Sequence, residues 1–331
     1  MDARLNRINA ILGGVMLVGK RALSVLYSFL VHQCRPGDWF ILPVNICPSV
    51  YWCFVKARIR VVFCDIDNES LCIDLVKART LARGCNIRGL LFNHTYGCPF
   101  YPEKEILEFR RENDDCLIVD DRCLCIPEVH QDRVNTDSSD LTLFSTGYAK
   151  CVDLGYGGYG FLSARARRTE LIALPYLEDD EKLIEAKFKE RGMLSQGEIF
   201  RMQWLDGAVD FDVDSYLRSV LAKTVESVEH KNKLNAIYYQ KLSGVRMLDA
   251  DYNIWRFNIL VESPERLVDS LFEQGLFASR HYNLLEGPGG RFPVADALSK
   301  SVVNLFNDRY FTEEQALRCS KIINTVSQFC H

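Results

Sequence analysis

The hydrophobic positions fall into two rhythms. Short runs that are apolar on both faces recur at 39–44, 60–65, 87–94, 116–121, 141–146 and 159–164, LLF and CLIVDD among them. Continuous apolar runs between turn residues are the pattern of strands covered on both sides, as in a parallel sheet sandwiched by helices. Segments with helical spacing lie between several of them, at 19–32, 49–56 and 103–112, and Pro36-Gly37-Asp38 marks a turn from the first helix into the first strand. The alternation predicts α/β organisation around a mainly parallel sheet.

After about Gln196 the rhythm changes. Residues 212–242 contain neither Pro nor Gly and predict one long helix. A strand-like segment at 253–261 follows, then a helix at 264–274 that stops at Gly275. A loop carrying Gly287-Pro288-Gly289-Gly290 leads to a closing helix from about Glu313, with Thr312 as its N-cap. The expected domains are a large α/β unit over 1–210 and a smaller C-terminal α+β unit over 211–331.

Composition adds limits. The 331 residues suit about two domains. A hydrophobic content of 48% with 25% charged residues is that of a folded globular chain rather than a disordered one. A net charge of -4 argues against nucleic-acid or membrane-surface partners. The apolar N-terminal stretch is interrupted by Lys20 and Arg21 and lacks a small-residue cleavage site, so a cytoplasmic location is expected. Thirteen cysteines, an odd number and without any CxxC pair, read as buried thiols in a reducing compartment rather than as metal ligands.

Two stretches carry candidate chemistry. Gly155-Tyr156-Gly157-Gly158-Tyr159-Gly160 has the spacing of a dinucleotide fingerprint, but that fingerprint opens a helix and a strand is expected here. These glycines instead predict a tight backbone path beside something bulky. Lys150 stands between a strand end and this glycine turn, where desolvation can make an amine nucleophilic. Upstream, an apolar strand ends in Asp120 and Asp121, at the sheet edge where open α/β folds bind ligands. A strand-end acid, Ser145 and Lys150 are the parts that a pyridoxal phosphate (PLP) site requires.

In this order and spacing the chain resembles the DegT/StrS family of PLP-dependent sugar aminotransferases, which have the aspartate aminotransferase fold (fold type I). Residues 36–43 (PGDWFILP) are similar to the family's PGDEVIVP, 62–67 (VFCDID) to its VFVDID, and 94–99 (HTYGCP) to its H-x-Y-G-x-P. Ser145 and Lys150 follow Asp121 by 24 and 29 residues, the family's spacing. Gly155, Gly157 and Gly158 match its T-G-E-G-G turn, 197–202 (GEIFRM) its G-x-N-x-R-M element, and Arg280-His281-Tyr282 its late H-Y element.

The resemblance implies a three-layer fold, a PLP cofactor and transfer of an amino group from an amino acid, glutamate in the first instance, to a nucleotide-linked keto-sugar. It implies that Lys150 forms the Schiff base and shuttles the proton, and that Asp121 pairs with the pyridine nitrogen. Asp120 is the competing acid. Ser145 would bind the cofactor phosphate, together with the N-terminus of a helix opened by Gly19. Lys20 stands where the family's phosphate-binding threonine lies, Cys47 where its ring-stacking aromatic lies, and Leu124 where its glutamine lies. Tyr156 replaces the glutamate of the glycine turn. His94, Tyr96, Tyr156, His281 and Tyr282 are the implied substrate-side residues. A homodimer with shared sites is implied, Arg201 reaching the partner's phosphate. The apolar Leu23, Leu26, Tyr27, Leu30, Trp52 and Phe54 could then cover an interface. Two other functions remain: a PLP-dependent sugar dehydratase, against which the retained Lys150 argues, and a PLP-fold binding or regulatory protein.

Overall fold

The computed structural model describes residues 15–84, 86–114, 116–134, 137–166, 168–285 and 290–328. The first sheet is built from β1 (Val15–Gly19), β2 (Trp39–Pro43), β3 (Arg60–Cys64), β4 (Ile87–Asn93), β5 (Leu117–Asp121), β6 (Leu141–Ser145) and β7 (Gly158–Leu162). Its spatial order is β1-β7-β6-β5-β4-β2-β3. The five strands from β6 to β3 run parallel, while β7 is antiparallel to both β6 and β1. The six strands predicted for the first two-thirds of the chain thus all form, within one or two residues of their expected ends. β1 is an addition, in a stretch whose apolar run gives no strand-specific alternation.

Helices α1 (Ala22–Gln33), α2 (Pro48–Lys56), α3 (Leu75–Gly84) and α4 (Glu103–Glu112) cover the sheet. Val25, Leu26, Phe29 and Leu30 of α1 pack with α2 on one face, in a core shared with Phe40 and Leu42 of β2. Ala78 and Ala82 of α3 and Ile106 and Phe109 of α4 fill the other face against Ile41, Leu90 and Ile118. Continuous burial along β4 and β5 is the consequence, and it explains why their sequences lack alternation.

Beyond α5 (Glu178–Arg191) and α6 (Gln196–Arg201), the long helix α7 (Val213–Lys241) starts at an Asp212 N-cap, whose carboxylate accepts the Ser215 N–H at 2.9 Å. Tyr216, Leu217 and Val220 near its start pack against β1 and β7, whereas Leu234 and Tyr238 near its end pack on a second sheet. That sheet is antiparallel, ordered β10 (Ala278–Ser279), β11 (Val302–Leu305), β9 (Phe257–Leu260), β8 (Arg246–Met247). α8 (Pro264–Glu273), α9 (Pro293–Ser301) and α10 (Glu313–Gln328) complete it. Thr312 and Gln315 cap α10 reciprocally, the Gln315 N–H donating to Thr312 Oγ1 at 3.1 Å and the Thr312 N–H to Gln315 Oε1 at 2.8 Å.

Several sequence expectations are corrected. Gly19 does not open a helix: it ends β1, paired with Gly158, and α1 begins three residues later. Leu26, Leu30, Trp52 and Phe54 are internal core rather than a surface awaiting a partner, while Leu23 and Tyr27 are half-buried. The fingerprint-like glycines run into β7 and not into a helix, as expected from the sequence and against the dinucleotide reading. Of the thirteen cysteines, Cys85 and Cys330 lie outside the described residues, as do His331, residues 1–14 and most of the 287–290 loop. The described thiols are all free. Among the described residues no helix is long and apolar enough to cross a membrane.

Candidate active site

A cavity of about 320 Å³ opens at the C-terminal edge of the parallel strands, a size typical of small-molecule sites, about 300–1,000 Å³. Asp121 at the end of β5, Ser145 at the end of β6 and Lys150 in the following turn all line it. Convergence at strand ends follows from the parallel register, in which Asn93, Asp121 and Leu143 lie side by side. Asp121 Oδ1 accepts the Cys123 N–H at 3.0 Å, which fixes the carboxylate on the wall. Burial pushes the Cys123 thiol well up, Asp121 pushes it further and Lys150 opposes, so acid and lysine both act on one spot.

The two aspartates divide cleanly. Asp120 is fully buried and turned away, with Oδ1 on His94 Nε2 at 2.7 Å and Oδ2 on Arg122 Nε at 2.7 Å. Burial disfavours a charged His94 imidazole, but the Cys125 sulfur and the Asp120 carboxylate outweigh it and hold the ring well above its ordinary value. Asp120 is therefore the buried brace of this strand end. Asp120→Ala is expected to cost about 3–5 kcal/mol of stability, because it strands the charge of Arg122 and takes the Asp120 carboxylate from His94 Nε2. Chemical denaturation checks this, and an unchanged midpoint would give Asp120 a different role.

The glycine turn has a packing reason. A Cβ at Gly158 would stand 2.2 Å from the Ala22 nitrogen, so only glycine lets β7 abut the start of α1. At Gly157, with φ +89°, a Cβ would stand 2.3 Å from the Tyr216 ring, and the Gly157 N–H donates to the Lys20 carbonyl at 2.7 Å. The first turn of α1 is thereby placed on the cavity wall, where Arg21, Ala22 and Leu23 line it. Arg21 is the N-cap and supplies no side-chain cap. The leading N–H groups of α1 and the Ser145 hydroxyl thus form a set of donors suited to an anion.

The other sequence candidates separate into two groups. Cys47, His94, Leu124, Tyr156 and Tyr282 line the cavity. Gly19, Lys20, Tyr96, His281 and Arg201 are not part of its lining. Lys20 bonds instead to Asp210 at 2.8 Å and Asp206 at 3.3 Å, and the Asp210 hydrogen bond leads in raising its pKa. Tyr96 is fully buried behind the wall and donates to the His281 carbonyl at 2.5 Å. His281 is driven down to about 4 by burial, with Arg256 and Lys150 adding, and is neutral at physiological pH. Arg201 is exposed on α6, its Nε donating to the Gly197 carbonyl at 3.0 Å.

Sequence reasoning missed Arg21, Asn45, Tyr148 and Glu185 on the cavity lining. Arg21 forms a two-pronged ion pair with Glu181 of α5, a partner 160 residues away that no local spacing reveals. The charge run at the start of α5 reads as a solvated face, yet it supplies both Glu181 and Glu185 to this region. Asn45 Oδ1 is buried without a hydrogen-bond partner.

An acid, a lysine, a hydroxyl and an uncapped helix start around one cavity fit PLP, whose ring nitrogen, aldehyde and phosphate call for those groups. The architecture is that of a three-layer α/β protein of PLP fold type I with a smaller antiparallel α+β part. The chain belongs to the DegT/DnrJ/EryC1/StrS aminotransferase family, whose model matches residues 18–324. Membership makes pyridoxal 5'-phosphate the cofactor and transamination the reaction class.

Solved structures show the same fold at low identity. DesI, determined with its TDP-sugar product, is 14% identical with a TM-score of 0.72, covering 98% of this chain and 83% of that one. The PLP form of Spr1654 from Streptococcus pneumoniae is 14% identical with a TM-score of 0.71, covering 99% and 91%. 3-Amino-5-hydroxybenzoic acid synthase is 18% identical with a TM-score of 0.68, covering 98% and 90%. No curated protein matches the chain.

Proposed function

We propose that the protein transfers an amino group from an amino acid, glutamate in the first instance, to a nucleotide-linked keto-sugar, using Lys150 as the cofactor-attaching lysine. The observation that carries this reading is the convergence of Asp121, Ser145 and Lys150 with the start of α1 on one cavity. PLP, when bound, supplies an electron sink for the carbon that loses or gains a proton.

The chain's own residues divide the remaining work. The Asp121 carboxylate holds a proton on the ring nitrogen by charge. The Lys150 amine binds the cofactor aldehyde and then moves a proton at the reacting carbon. The Ser145 hydroxyl and the first N–H groups of α1 bind the phosphate, with Gly19 ending the strand that delivers that turn. Leu124 and Cys47 present apolar surface to the ring where relatives carry a glutamine and an aromatic. His94 orients the strand end through Asp120. Tyr148, Tyr156 and Tyr282 line the substrate side, with Tyr96 and His281 supporting Tyr282 from behind. Lys20 neutralises Asp206 and Asp210 near the entrance to α1.

The protein acts in this reading as a cytoplasmic homodimer, with Arg201 serving the partner's site and neither nucleic acid nor membrane as a partner. The relative solved with a TDP-sugar product supports a nucleotide-linked substrate. The aminohydroxybenzoate synthase relative shows why the acceptor must be tested directly.

The test loads the protein with PLP, adds glutamate, and follows the cofactor spectrum as the amino group is taken up. Nucleotide-linked keto-sugars are then added, and aminated product is read by mass spectrometry. Amination of one of them and not of the free sugar is expected. PLP binding without donor turnover would favour the regulatory reading, and loss of water without amination the dehydratase one.

A further inference from the structure

Trp255 precedes β9, yet its contacts cross to the large sheet. Its indole Nε1–H donates to the Ala149 carbonyl at 2.6 Å, and its backbone N–H donates to the Tyr96 carbonyl at 3.2 Å. Its ring lies parallel to Tyr96, with centroids 6.4 Å apart and 10° between planes, and meets the His281 ring at 5.4 Å. From behind, the Lys231 ammonium donates to the Trp255 carbonyl at 2.9 Å and to Asn307 Oδ1 at 3.0 Å. Trp255 and Lys231 are each only 4% exposed.

The residue that receives the indole bond immediately precedes Lys150. Ala149 holds a φ of +58°, in the left-handed region that side-chain-bearing residues enter at a cost of about 1–2 kcal/mol. Its N–H donates to Asp153 Oδ2 at 2.9 Å. Ala149 is therefore tied on its amide side by Asp153 and on its carbonyl side by Trp255. That carbonyl belongs to the peptide unit from which the Lys150 Cα–Cβ bond projects. With the peptide free to turn, the amine would sweep over several ångströms, because a lysine side chain has four rotatable bonds beyond this anchor.

We propose that Trp255 is a positioning residue for Lys150, its indole N–H fixing the Ala149–Lys150 peptide so that the amine projects into the cavity. The proposal rests on the reading of Lys150 as the cofactor-attaching lysine. It gives the smaller part of the molecule a direct hold on the reacting group, through one hydrogen bond.

Trp255→Phe keeps an aromatic ring between Tyr96 and His281 while removing the donor and part of the ring volume, and Trp255→His separates these two losses by retaining a ring N–H. The primary readout is the rate at which apo protein, mixed with PLP and quenched with borohydride, gains a phosphopyridoxyl group on Lys150 by peptide mass spectrometry. Trp255→Phe is expected to slow this about tenfold, and to lower kcat similarly with KM for the keto substrate within twofold. Tyr238→Phe serves as the control, since it deletes a buried hydroxyl that donates to the Phe306 carbonyl at 2.8 Å. It should lower the melting temperature and leave the labelling rate unchanged. Trp255→His, which retains a ring N–H, is the second variant should the phenylalanine protein not fold, and is expected to label within threefold of wild type.

Labelling of Trp255→Phe at the wild-type rate overturns the proposal. Equal slowing in Tyr238→Phe overturns it too, by showing a merely structural effect. Slowing of Trp255→His by as much as tenfold would do the same. Label on a lysine other than Lys150 in the wild-type protein overturns the reading of the site, and this inference with it.

Discussion

Lys150→Ala is expected to lower turnover by about 10⁴-fold, which corresponds to about 5.5 kcal/mol of barrier. In the proposed reading two functions disappear together: the amine that binds the cofactor aldehyde, and the base that moves the proton at the reacting carbon. No neighbouring amine on the cavity lining can substitute, since Lys150 is the only lysine among the described lining residues. The fold should survive, because the side chain is half-buried in a turn and braces no core cluster. A far-ultraviolet spectrum and melting temperature close to wild type, beside lost donor turnover, are the expected pair of results. Retained turnover would remove Lys150 from the chemistry.

Asp121→Asn is the second large effect, expected at roughly 10²–10³-fold in kcat, as for loss of one preorganised charge contact worth about 3–4 kcal/mol. The amide matches the carboxylate in size and can still accept the Cys123 N–H, so the strand end should keep its shape. What is lost in the proposed reading is the negative charge that would keep a proton on the ring nitrogen and hence the ring's capacity to accept electrons. The effect belongs in kcat more than in KM, because the charge matters most in the transition state. The parallel comparison with Asp120 separates chemistry from bracing. Asp120→Ala loses stability through His94 and Arg122, whereas Asp121→Asn loses rate at nearly constant stability. The opposite pattern would shift the acid by one residue.

Much of this was legible in the chain because strand-end chemistry is local. LIVDD writes its own burial pattern and ends in the acid, and LTLFS does the same for Ser145. The proposed choice of Asp121 over Asp120 rests on spacing; the carboxylate of Asp120 is taken up by His94 and Arg122, contacts that spacing does not reveal. Contacts distant in sequence were not legible. The pairing of Lys20 with Asp206 and Asp210, and of Arg21 with Glu181, joins segments some 160–190 residues apart. From sequence Gly19 reads as the start of a helix and residues 15–18 as no element, and only the antiparallel partner β7 makes 15–19 a strand. The apolar residues of α1 and α2 were legible as buried but not as buried internally. Amphipathic spacing says that a face is covered without saying by what.

The central claim is that PLP is held in this cavity by Lys150, opposite Asp121. Its most direct test incubates the wild-type protein with PLP, reduces with borohydride and locates the added phosphopyridoxyl mass by peptide sequencing. The predicted result is stoichiometric label on Lys150, unchanged in Asp120→Ala protein that remains folded and absent from Lys150→Ala. Label on another lysine, or none in folded wild-type protein, would contradict the account.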